Sequence, residues 1–169
     1  MRPIAMLKDF AIWGRFAPIG LAFIALGFGI DQGFKWWMLY VYDISAKQPV
    51  SLTPFFDLVM VWNPGVSYGW FKNLGPWVLI AGQSLIVLLL WFWLAGSKDR
   101  ISAIAVGLII GGALGNITDR VAYEAVADFF HFYAFGYNWY IFNLADVVIV
   151  AGAAILVYGS IREMKREKS

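Results

Sequence analysis

The residues of this sequence that could do chemistry are a few carboxylates and amides within otherwise apolar segments. Asn143 and Asp146 are three residues apart, on one face of a predicted helix. A charged side chain inside a bilayer costs at least about 2.5–3.5 kcal/mol, so it needs a partner or a function. No lysine or arginine lies within one helical turn of Asp146. It therefore pairs with Arg120 or Lys35 across the fold, or it shares a proton with another acid. Asp128 is the candidate for that acid.

A pair of close carboxylates is suited to peptide hydrolysis. Two such groups cannot both ionise easily, so the pair retains one proton near neutral pH. The ionised member accepts a proton from the attacking water, and the protonated member donates to the carbonyl oxygen of the peptide bond. This chemistry needs no metal, histidine or thiol. The chain has no cysteine and one histidine, His131, so we expect no metal site and no cofactor.

Other chemistries have less support in the sequence. A Ser–His–Asp triad would depend on His131, and no serine lies in a G-x-S-x-G motif. A serine–lysine dyad could use Ser67 with Lys35 or Lys72, but nothing singles out these residues. The sequence has no P-loop and no dinucleotide-binding fingerprint. Its net charge of +2 is too small to indicate a nucleic-acid partner.

Two further polar clusters lie in apolar runs. Asp31 and Lys35 are four residues apart, which predicts an ion pair near the membrane interface with the lysine extending outward. Asn116, Asp119 and Arg120 close another run at helical spacing. An Asp–Arg pair that caps the helix would explain two of them. Alternatively, Arg120 binds a substrate carbonyl or a neighbouring carboxylate.

The elements that must position these residues are membrane spans. Hydrophobic residues make up 61% of the chain and charged residues 14%, whereas soluble domains carry about 25% charged residues. Four apolar runs approach the roughly 20 residues that cross a bilayer, at about residues 16–37, 76–95, 101–118 and 141–160. The third run carries Gly107, Gly111 and Gly115, which favour close helix packing. We expect one integral membrane domain over residues 1–169, with the first run retained as a span because it is too long for the apolar core of a cleaved signal peptide.

Lysine and arginine residues predict the orientation of the spans. Nine of them lie beyond one end of the four runs, and the end rich in positive charge normally faces the cytoplasm. These residues are Arg2, Lys8, Arg15, Lys98, Arg100, Arg162, Lys165, Arg166 and Lys168. We therefore expect both termini on the cytoplasmic side and the polar clusters near the outer face.

Two outer segments, about residues 43–75 and 121–140, connect the spans. Leu58–Trp62 predicts a strand, Asn63–Val66 a turn and Val66–Phe71 a second strand. The resulting small sheet either caps the helix ends or forms a cradle for a lipid-anchored ligand. The second segment predicts an interfacial loop, re-entrant or amphipathic. The predicted fold class is an all-α membrane protein with four transmembrane helices, a small extracytoplasmic β-sheet or cradle, and an outer interfacial loop.

Five short motifs resemble those of one bacterial enzyme family. Asp31–Lys35 resembles a D-Q-x-x-K box, and Asn63–Gly69 resembles an N-x-G-x-[AS]-[FY] box, although Phe34 and Pro64 are unusual choices within these two. The others are Gly111–Arg120, similar to G-G-A-x-G-N-x-x-D-R, Val126–Phe129, similar to V-x-D-F, and Phe142–Asp146, similar to F-N-x-A-D. In this order, over about residues 31–146, they resemble the lipoprotein signal peptidases, or type II signal peptidases.

The resemblance implies an intramembrane aspartyl endopeptidase with Asp128 and Asp146 as its catalytic pair. It implies substrate binding by Asn63, Gly65, Asn116, Arg120 and Asn143, and structural support by Asp31, Lys35 and Asp119. The implied substrate is a diacylglyceryl-modified prolipoprotein, cut just before the lipidated cysteine. The implied setting is the bacterial cytoplasmic (inner) membrane, where a monomer in contact with lipid would act near the outer face.

Two non-enzymatic interpretations compete with this one. The same aspartates could carry protons or cations in a small membrane transporter, which predicts a continuous polar path across the bilayer. Residues 85–94 and 150–157 carry no charge, which argues against such a path. A purely structural membrane subunit would leave Asn116, Arg120, Asn143 and Asp146 without a reason to be polar.

Overall fold

The structure is a computed structural model that describes residues 12–65 and 75–166. The predicted second strand, at residues 66–71, and the serine–lysine candidates Ser67 and Lys72 lie outside these ranges. The described elements, in chain order, are α1 (Ala17–Trp36), extended by a π-helical turn (Trp37–Val41), α2 (Ile44–Lys47), β1 (Val50–Thr53), β2 (Phe56–Asn63), α3 (Pro76–Ala95), α4 (Arg100–Tyr123), β3 (Val126–Ala134), β4 (Tyr137–Asn138) and α5 (Leu144–Arg166).

Within residues 12–65 and 75–166, four helices are long and apolar enough to cross a membrane, as the sequence predicts. They are α1 with its π-helical extension, α3, α4 and α5. The helix α4 is the most buried of the four and packs against the other three. It continues to Tyr123, five residues beyond the predicted end at Thr118, and α5 begins at Leu144 rather than near Ile141. These two shifted ends determine where the polar residues lie.

Small residues let α1 and α4 pack closely. A Cβ atom added at Gly111 would lie 2.6 Å from the carbonyl oxygen of Ile24 and 3.1 Å from the backbone nitrogen of Phe28. A Cβ atom at Gly115 would collide with the carboxylate of Asp31. The glycine positions predicted to allow close helix packing therefore bring the Asp31 side chain of α1 against the backbone of α4.

We expect Gly111→Ala to destabilise the fold by about 1–3 kcal/mol, because the new methyl group can be accommodated only if two helix backbones separate. Thermal unfolding in detergent, followed by tryptophan fluorescence, measures the effect. Gly82→Ala in α3 is the matched control, since no atom lies within 4 Å of its added Cβ. Alanine also favours a helix over glycine, so this control should be neutral or slightly stabilising. Equal destabilisation by both variants would contradict the packing argument.

The described parts of the outer segments form an antiparallel sheet in the order β1-β2-β3-β4. The predicted strand Leu58–Trp62 lies within β2. Its partners are β1 on one side and β3 on the other, with Asn63 opposite Val126 and Val61 opposite Asp128. Within residues 121–140, for which the sequence left a re-entrant or an amphipathic segment open, residues 126–134 form the strand β3.

The sheet packs against the end of α1. Ala127 and Phe129 of β3 lie in a buried cluster with Met38 and Ile44. Phe34 of α1 meets Phe129 edge-on, with ring centroids 5.8 Å apart. The sheet is thus fixed to the helix ends, and β3 holds Asp128 above the start of α5.

Candidate active site

Asp128 and Asp146 come from different elements and line one cavity of about 190 Å³. Asp128 is the third residue of β3 and is 2% exposed. Asp146 is the third residue of α5 and is partly buried. The remaining lining residues are Asn63, Gln83, Asn116, Arg120, Val126, Tyr140, Ile141, Asn143 and Ile149. Of the predicted substrate-binding residues, four line this cavity, and Gly65 is bonded to two of them.

Asn143 and Asp146 form a reciprocal cap at the start of α5. The Asp146 backbone N–H donates to Asn143 Oδ1 at 3.1 Å, and the Asn143 N–H donates to Asp146 Oδ2 at 3.3 Å. This is the geometry of a capping box, in which each side chain satisfies the other residue's backbone donor. Asp146 therefore lies in the first turn of α5, where the helix dipole favours a negative charge.

Amide side chains connect the two carboxylates. Asn143 Nδ2 donates to Asp128 Oδ1 at 2.7 Å and to Asn116 Oδ1 at 3.1 Å. Asn116 Nδ2 in turn donates to Asp146 Oδ1 at 3.1 Å. Asn63 Nδ2 donates to the other Asp128 oxygen, Oδ2, at 3.0 Å. Three asparagines from β2, α4 and the start of α5 therefore orient both carboxylates.

Neither carboxylate forms an ion pair within residues 12–65 and 75–166. Lys35 Nζ is 2.8 Å from Asp31 Oδ2 and 2.8 Å from Asp119 Oδ2. Arg120 donates to neutral acceptors, which are Gly65 O, Gln83 Oε1 and Asn116 O. An ion pair of Asp146 with Lys35 or Arg120 was one of the two predicted arrangements, and the geometry does not place one there.

Burial changes the acidity of Asp128. The pKa of its carboxyl is raised to about 7, mainly because burial removes solvent from the charged form, and the nearby charge of Asp146 contributes in the same direction. The hydrogen bonds from Asn63 and Asn143 oppose this rise because they favour the charged form. At neutral pH this carboxyl can therefore hold or release a proton within the cavity.

The predicted pair of Asp31 and Lys35 forms, but Lys35 does not extend outward. It is 3% exposed and lies between the two aspartates, so the expectation of an outward-extending side chain is wrong. The prediction that Asp119 pairs with Arg120 to cap the helix is also wrong, because Asp119 pairs with Lys35. Lys35 Nζ also donates to Asn116 Oδ1, at 3.4 Å.

This buried cluster holds the backbone immediately before each cavity carboxylate. Asp31 Oδ1 accepts the N–H of Ala145 at 2.8 Å, one residue before Asp146. Asp119 Oδ2 accepts the N–H of Ala127 at 3.1 Å, one residue before Asp128. Asp31, Lys35 and Asp119 thus fix the position of β3 relative to α5.

Two glutamines form contacts that the sequence does not predict. Gln32 Nε2 is within hydrogen-bond distance of Asp31 Oδ2, Gly115 O and Asp119 Oδ1. Gln83 Oε1 accepts from Arg120 Nη1 at 3.0 Å. Gln83 and Ser84 are the only polar residues of α3. An amide within an otherwise apolar span is therefore the sequence feature that could have identified Gln83 as a contact of the polar cluster.

Arg120 retains one donor without a partner. Its side chain is 5% exposed, and its Nε atom has no hydrogen-bond acceptor among the residues that the structure describes. A buried unsatisfied donor costs about 1–3 kcal/mol, more when it is charged.

Comparisons with known proteins identify the family. The sequence model of the family described as signal peptidase (SPase) II matches residues 23–162 of this chain. The lipoprotein signal peptidase of Nitrobacter hamburgensis is 52% identical over 137 residues, covering 77% of this chain and 84% of that protein. The lipoprotein signal peptidase of Rhodopseudomonas palustris strain TIE-1 is 44% identical over 150 residues, covering 85% of this chain and 92% of that protein.

The fold also has a match among solved structures. A bacterial membrane enzyme determined by the in meso method at 2.3 Å aligns with a TM-score of 0.75, at 23% identity, covering 91% of this chain and 94% of that one. This likeness concerns the fold alone. The comparisons give no support to the transporter alternative. The family match over most of the chain, together with the four spanning helices, shows that this multi-pass membrane protein belongs to the signal peptidase II family of peptidases.

Proposed function

We propose that this chain removes the signal peptide from diacylglyceryl-modified prolipoproteins by cutting just before the lipidated cysteine. The observation that carries the proposal is the pair of carboxylates, Asp128 and Asp146, which face one cavity and are oriented by asparagines. Neither forms an ion pair with any residue that the structure describes. The names of the similar proteins, all lipoprotein signal peptidases, support this substrate class.

In the proposed mechanism Asp128 and Asp146 share one proton. The ionised carboxylate accepts a proton from a water molecule as the water oxygen bonds to the carbonyl carbon. The protonated carboxyl donates to the carbonyl oxygen, which gives a neutral tetrahedral intermediate. The roles then reverse: the carboxyl that was protonated by water donates to the leaving nitrogen as the C–N bond breaks. The other carboxylate takes a hydroxyl proton from the intermediate as the new carboxyl group forms, so the pair again holds one proton. Because the two groups titrate together, neither is assigned a fixed role.

Arg120 and the asparagines are proposed to hold the peptide. Arg120 lines the cavity, and its guanidinium would bind a peptide carbonyl next to the scissile bond. Asn63, Asn116 and Asn143 orient the carboxylates, and Asn63 Oδ1 also accepts the N–H of Gly65 at 3.0 Å. Gly65 in turn binds Arg120 through its carbonyl oxygen. The Asn63–Gly65 turn is thereby tied to the cavity, where it would border the bound peptide.

We further propose that the protein lies in the bacterial inner membrane with both termini in the cytoplasm. The lysine and arginine distribution supports this orientation, since most of these residues flank the helix ends opposite the cavity. The cavity would then open near the outer face, where a lipid anchor holds the substrate. The proposed active form is a monomer.

The direct test uses the purified protein and a prolipoprotein with and without its diacylglyceryl group. We expect cleavage only of the lipidated form, with a product whose first residue is the lipid-modified cysteine, as read by mass spectrometry. The unmodified prolipoprotein in the same detergent or vesicle is the matched control. Equal cleavage of both forms would contradict the proposed substrate class, and no cleavage by well-folded protein would contradict the activity.

The rate should depend on pH in one particular direction. A raised pKa means that Asp128 keeps its proton up to near neutral pH, and the mechanism needs one proton on the pair. We therefore expect kcat/KM to fall about tenfold per pH unit above a value near 7. The measurement is a pH series of initial rates, with circular dichroism showing that the fold persists at each pH. A flat profile up to pH 9 would contradict a protonated carboxyl in the mechanism.

Gln83 is predicted to position Arg120. Gln83→Leu removes the acceptor of Arg120 Nη1, and a hydrogen bond to a charged group contributes about 1.5–3 kcal/mol. We expect kcat/KM to fall roughly tenfold or more, and Gln83→Glu, which keeps an acceptor, to restore part of it. Ser84→Ala, at the neighbouring polar residue outside the cavity lining, is the matched control. Unchanged cleavage by Gln83→Leu would show that Arg120 does not need this contact.

A further inference from the structure

The chain from Phe132 to Phe142 has an unusual composition for an exposed segment. These eleven residues include seven aromatic side chains and no charged residue. They comprise the end of β3, the turn to β4 and the connection to α5. Exposed loops of soluble proteins are instead polar, and large exposed apolar patches mark interaction surfaces.

Two features of the hairpin tip are unfavourable in water: its backbone conformation and its exposed phenylalanine. Phe135 has φ of 51° and is followed by Gly136 with φ of 79°. A two-residue turn of this kind normally uses Asn, Asp or Gly at its first position, because other side chains are strained at positive φ. Phe135 is also fully exposed within the protein. A phenylalanine in this position points to an apolar environment outside the chain.

Packing places the base of the hairpin at the level of the helix ends. Phe132 stacks on Phe142, with ring centroids 5.9 Å apart and an angle of 16° between the rings. Phe142 lies just before Leu144, where α5 begins. The ring of Phe130, two residues before Phe132, has its centroid 5.5 Å from that of Phe34 in α1. The hairpin therefore extends from the level at which α1 ends and α5 begins. In a membrane protein this level is the boundary between lipid and water, where tryptophan and tyrosine are enriched.

A groove runs beside the hairpin and has an almost entirely apolar lining. Its volume is about 520 Å³, and its walls include Phe55, Phe132, Tyr137, Trp139 and Phe142. Phe55 joins this surface because its carbonyl oxygen accepts the Tyr133 N–H at 3.0 Å. Tyr137 is 82% exposed and Trp139 59% exposed. The groove and the tip thus form one continuous aromatic surface.

We propose that this surface, Phe55 with residues 132–142, docks onto the lipid leaflet at the cavity end of the bundle. Phe135 inserts among the acyl chains of that leaflet, and the groove is covered by a phospholipid acyl chain. The absence of charge favours acyl chains over head groups, since interfacial binding without basic residues depends on buried apolar area. The docked hairpin would hold the sheet, and with it Asp128, at the lipid–water boundary. This inference rests on the spans and the exposed aromatics, and it stands independently of the peptidase assignment.

The absence of cysteine from the chain permits a direct depth measurement. Phe135→Cys and Tyr137→Cys, each carrying a nitroxide spin label, would be reconstituted in phosphatidylcholine vesicles. Ser51→Cys is the matched control, because Ser51 is exposed on β1 at the opposite edge of the sheet. We expect oxygen to relax the labels at positions 135 and 137 more strongly than a water-soluble nickel chelate does, and the reverse order at position 51.

Several outcomes would overturn the proposal. A label at position 135 that meets the nickel chelate as freely as the label at position 51 would place the tip in water. A label protected from both reagents would place it against protein, such as a second copy of the chain. Phe135→Asn provides a further measurement, because asparagine suits the turn but lacks the apolar side chain. In that background the label at position 137 should gain nickel access several-fold, and an unchanged value would show that Phe135 does not hold the hairpin in lipid.

Discussion

Asp128→Asn and Asp146→Asn should each lower the rate of prolipoprotein cleavage by about 10³-fold or more. Asparagine can neither accept nor release the proton that the proposed reaction passes between the two groups, and general acid–base steps contribute about 10²–10⁴-fold. The measurement is single-turnover cleavage of a lipidated prolipoprotein by purified, folded variants. Each substitution also leaves one hydrogen-bond donor without its carboxylate acceptor, so thermal unfolding must be recorded alongside the rate.

The matched control for these variants is Asp57→Asn. Asp57 lies in β2 on the same side of the membrane, and its carboxylate accepts from the Tyr133 hydroxyl at 3.1 Å rather than facing the cavity. We expect this variant to cleave at a rate near that of the wild type. If Asp57→Asn were as inactive as the cavity variants, loss of activity would report damage to the sheet and not removal of a reacting group.

The double variant tests whether the two carboxylates act as a unit. Once one group is gone the shared proton has no second site, so Asp128→Asn with Asp146→Asn should be about as inactive as either single variant. Losses that add in free energy would mean that the residues contribute separately. Near-normal cleavage by either single variant would remove that residue from the reaction.

Lys35→Met should give the largest loss of stability among the substitutions considered. The change leaves the buried carboxylates of Asp31 and Asp119 without their cation, and removal of one partner from a buried ion pair costs about 3–5 kcal/mol. Cleavage should also fall, because Asp31 and Asp119 hold the N–H groups of Ala145 and Ala127. The free energy of unfolding in detergent and the cleavage rate are measured on the same preparation.

Two controls separate lost charge pairing from general damage. Lys98→Met removes an exposed lysine outside this cluster and should change the unfolding free energy by less than about 0.5 kcal/mol. The triple variant Lys35→Met, Asp31→Asn, Asp119→Asn removes all three charges and keeps oxygen acceptors for both backbone N–H groups. It should recover most of the lost stability. Equal instability of Lys35→Met and the triple variant would show that the lysine contributes through packing.

The sequence alone predicts the features that depend on local composition. Each spanning helix is specified by its own length and hydrophobicity, because the bilayer requires both from every span. The strand within Phe56–Asn63 is likewise recognisable from its β-branched and aromatic run. The family resemblance also rests on short local motifs, and the match over residues 23–162 confirms it.

The strand β3 could not be recognised in the same way. Its first four residues, Val126 to Phe129, are all buried, so the alternation of apolar and polar residues that marks a half-buried strand is missing. Its pairing with β2 joins positions more than 60 residues apart, as in Asn63 with Val126. Only the folded chain brings these two segments together.

The tertiary structure also decided the partners of the polar residues. The sequence predicted a pair of Asp119 with Arg120 and a fourth span from about residue 141, whereas the fold pairs Asp119 with Lys35 and begins α5 at Leu144. Side-chain pairing depends on which helix faces meet, and close contact at Gly111 and Gly115 sets that geometry between α1 and α4. Local sequence therefore determined which residues are polar within the membrane, and packing between helices determined what each of them binds.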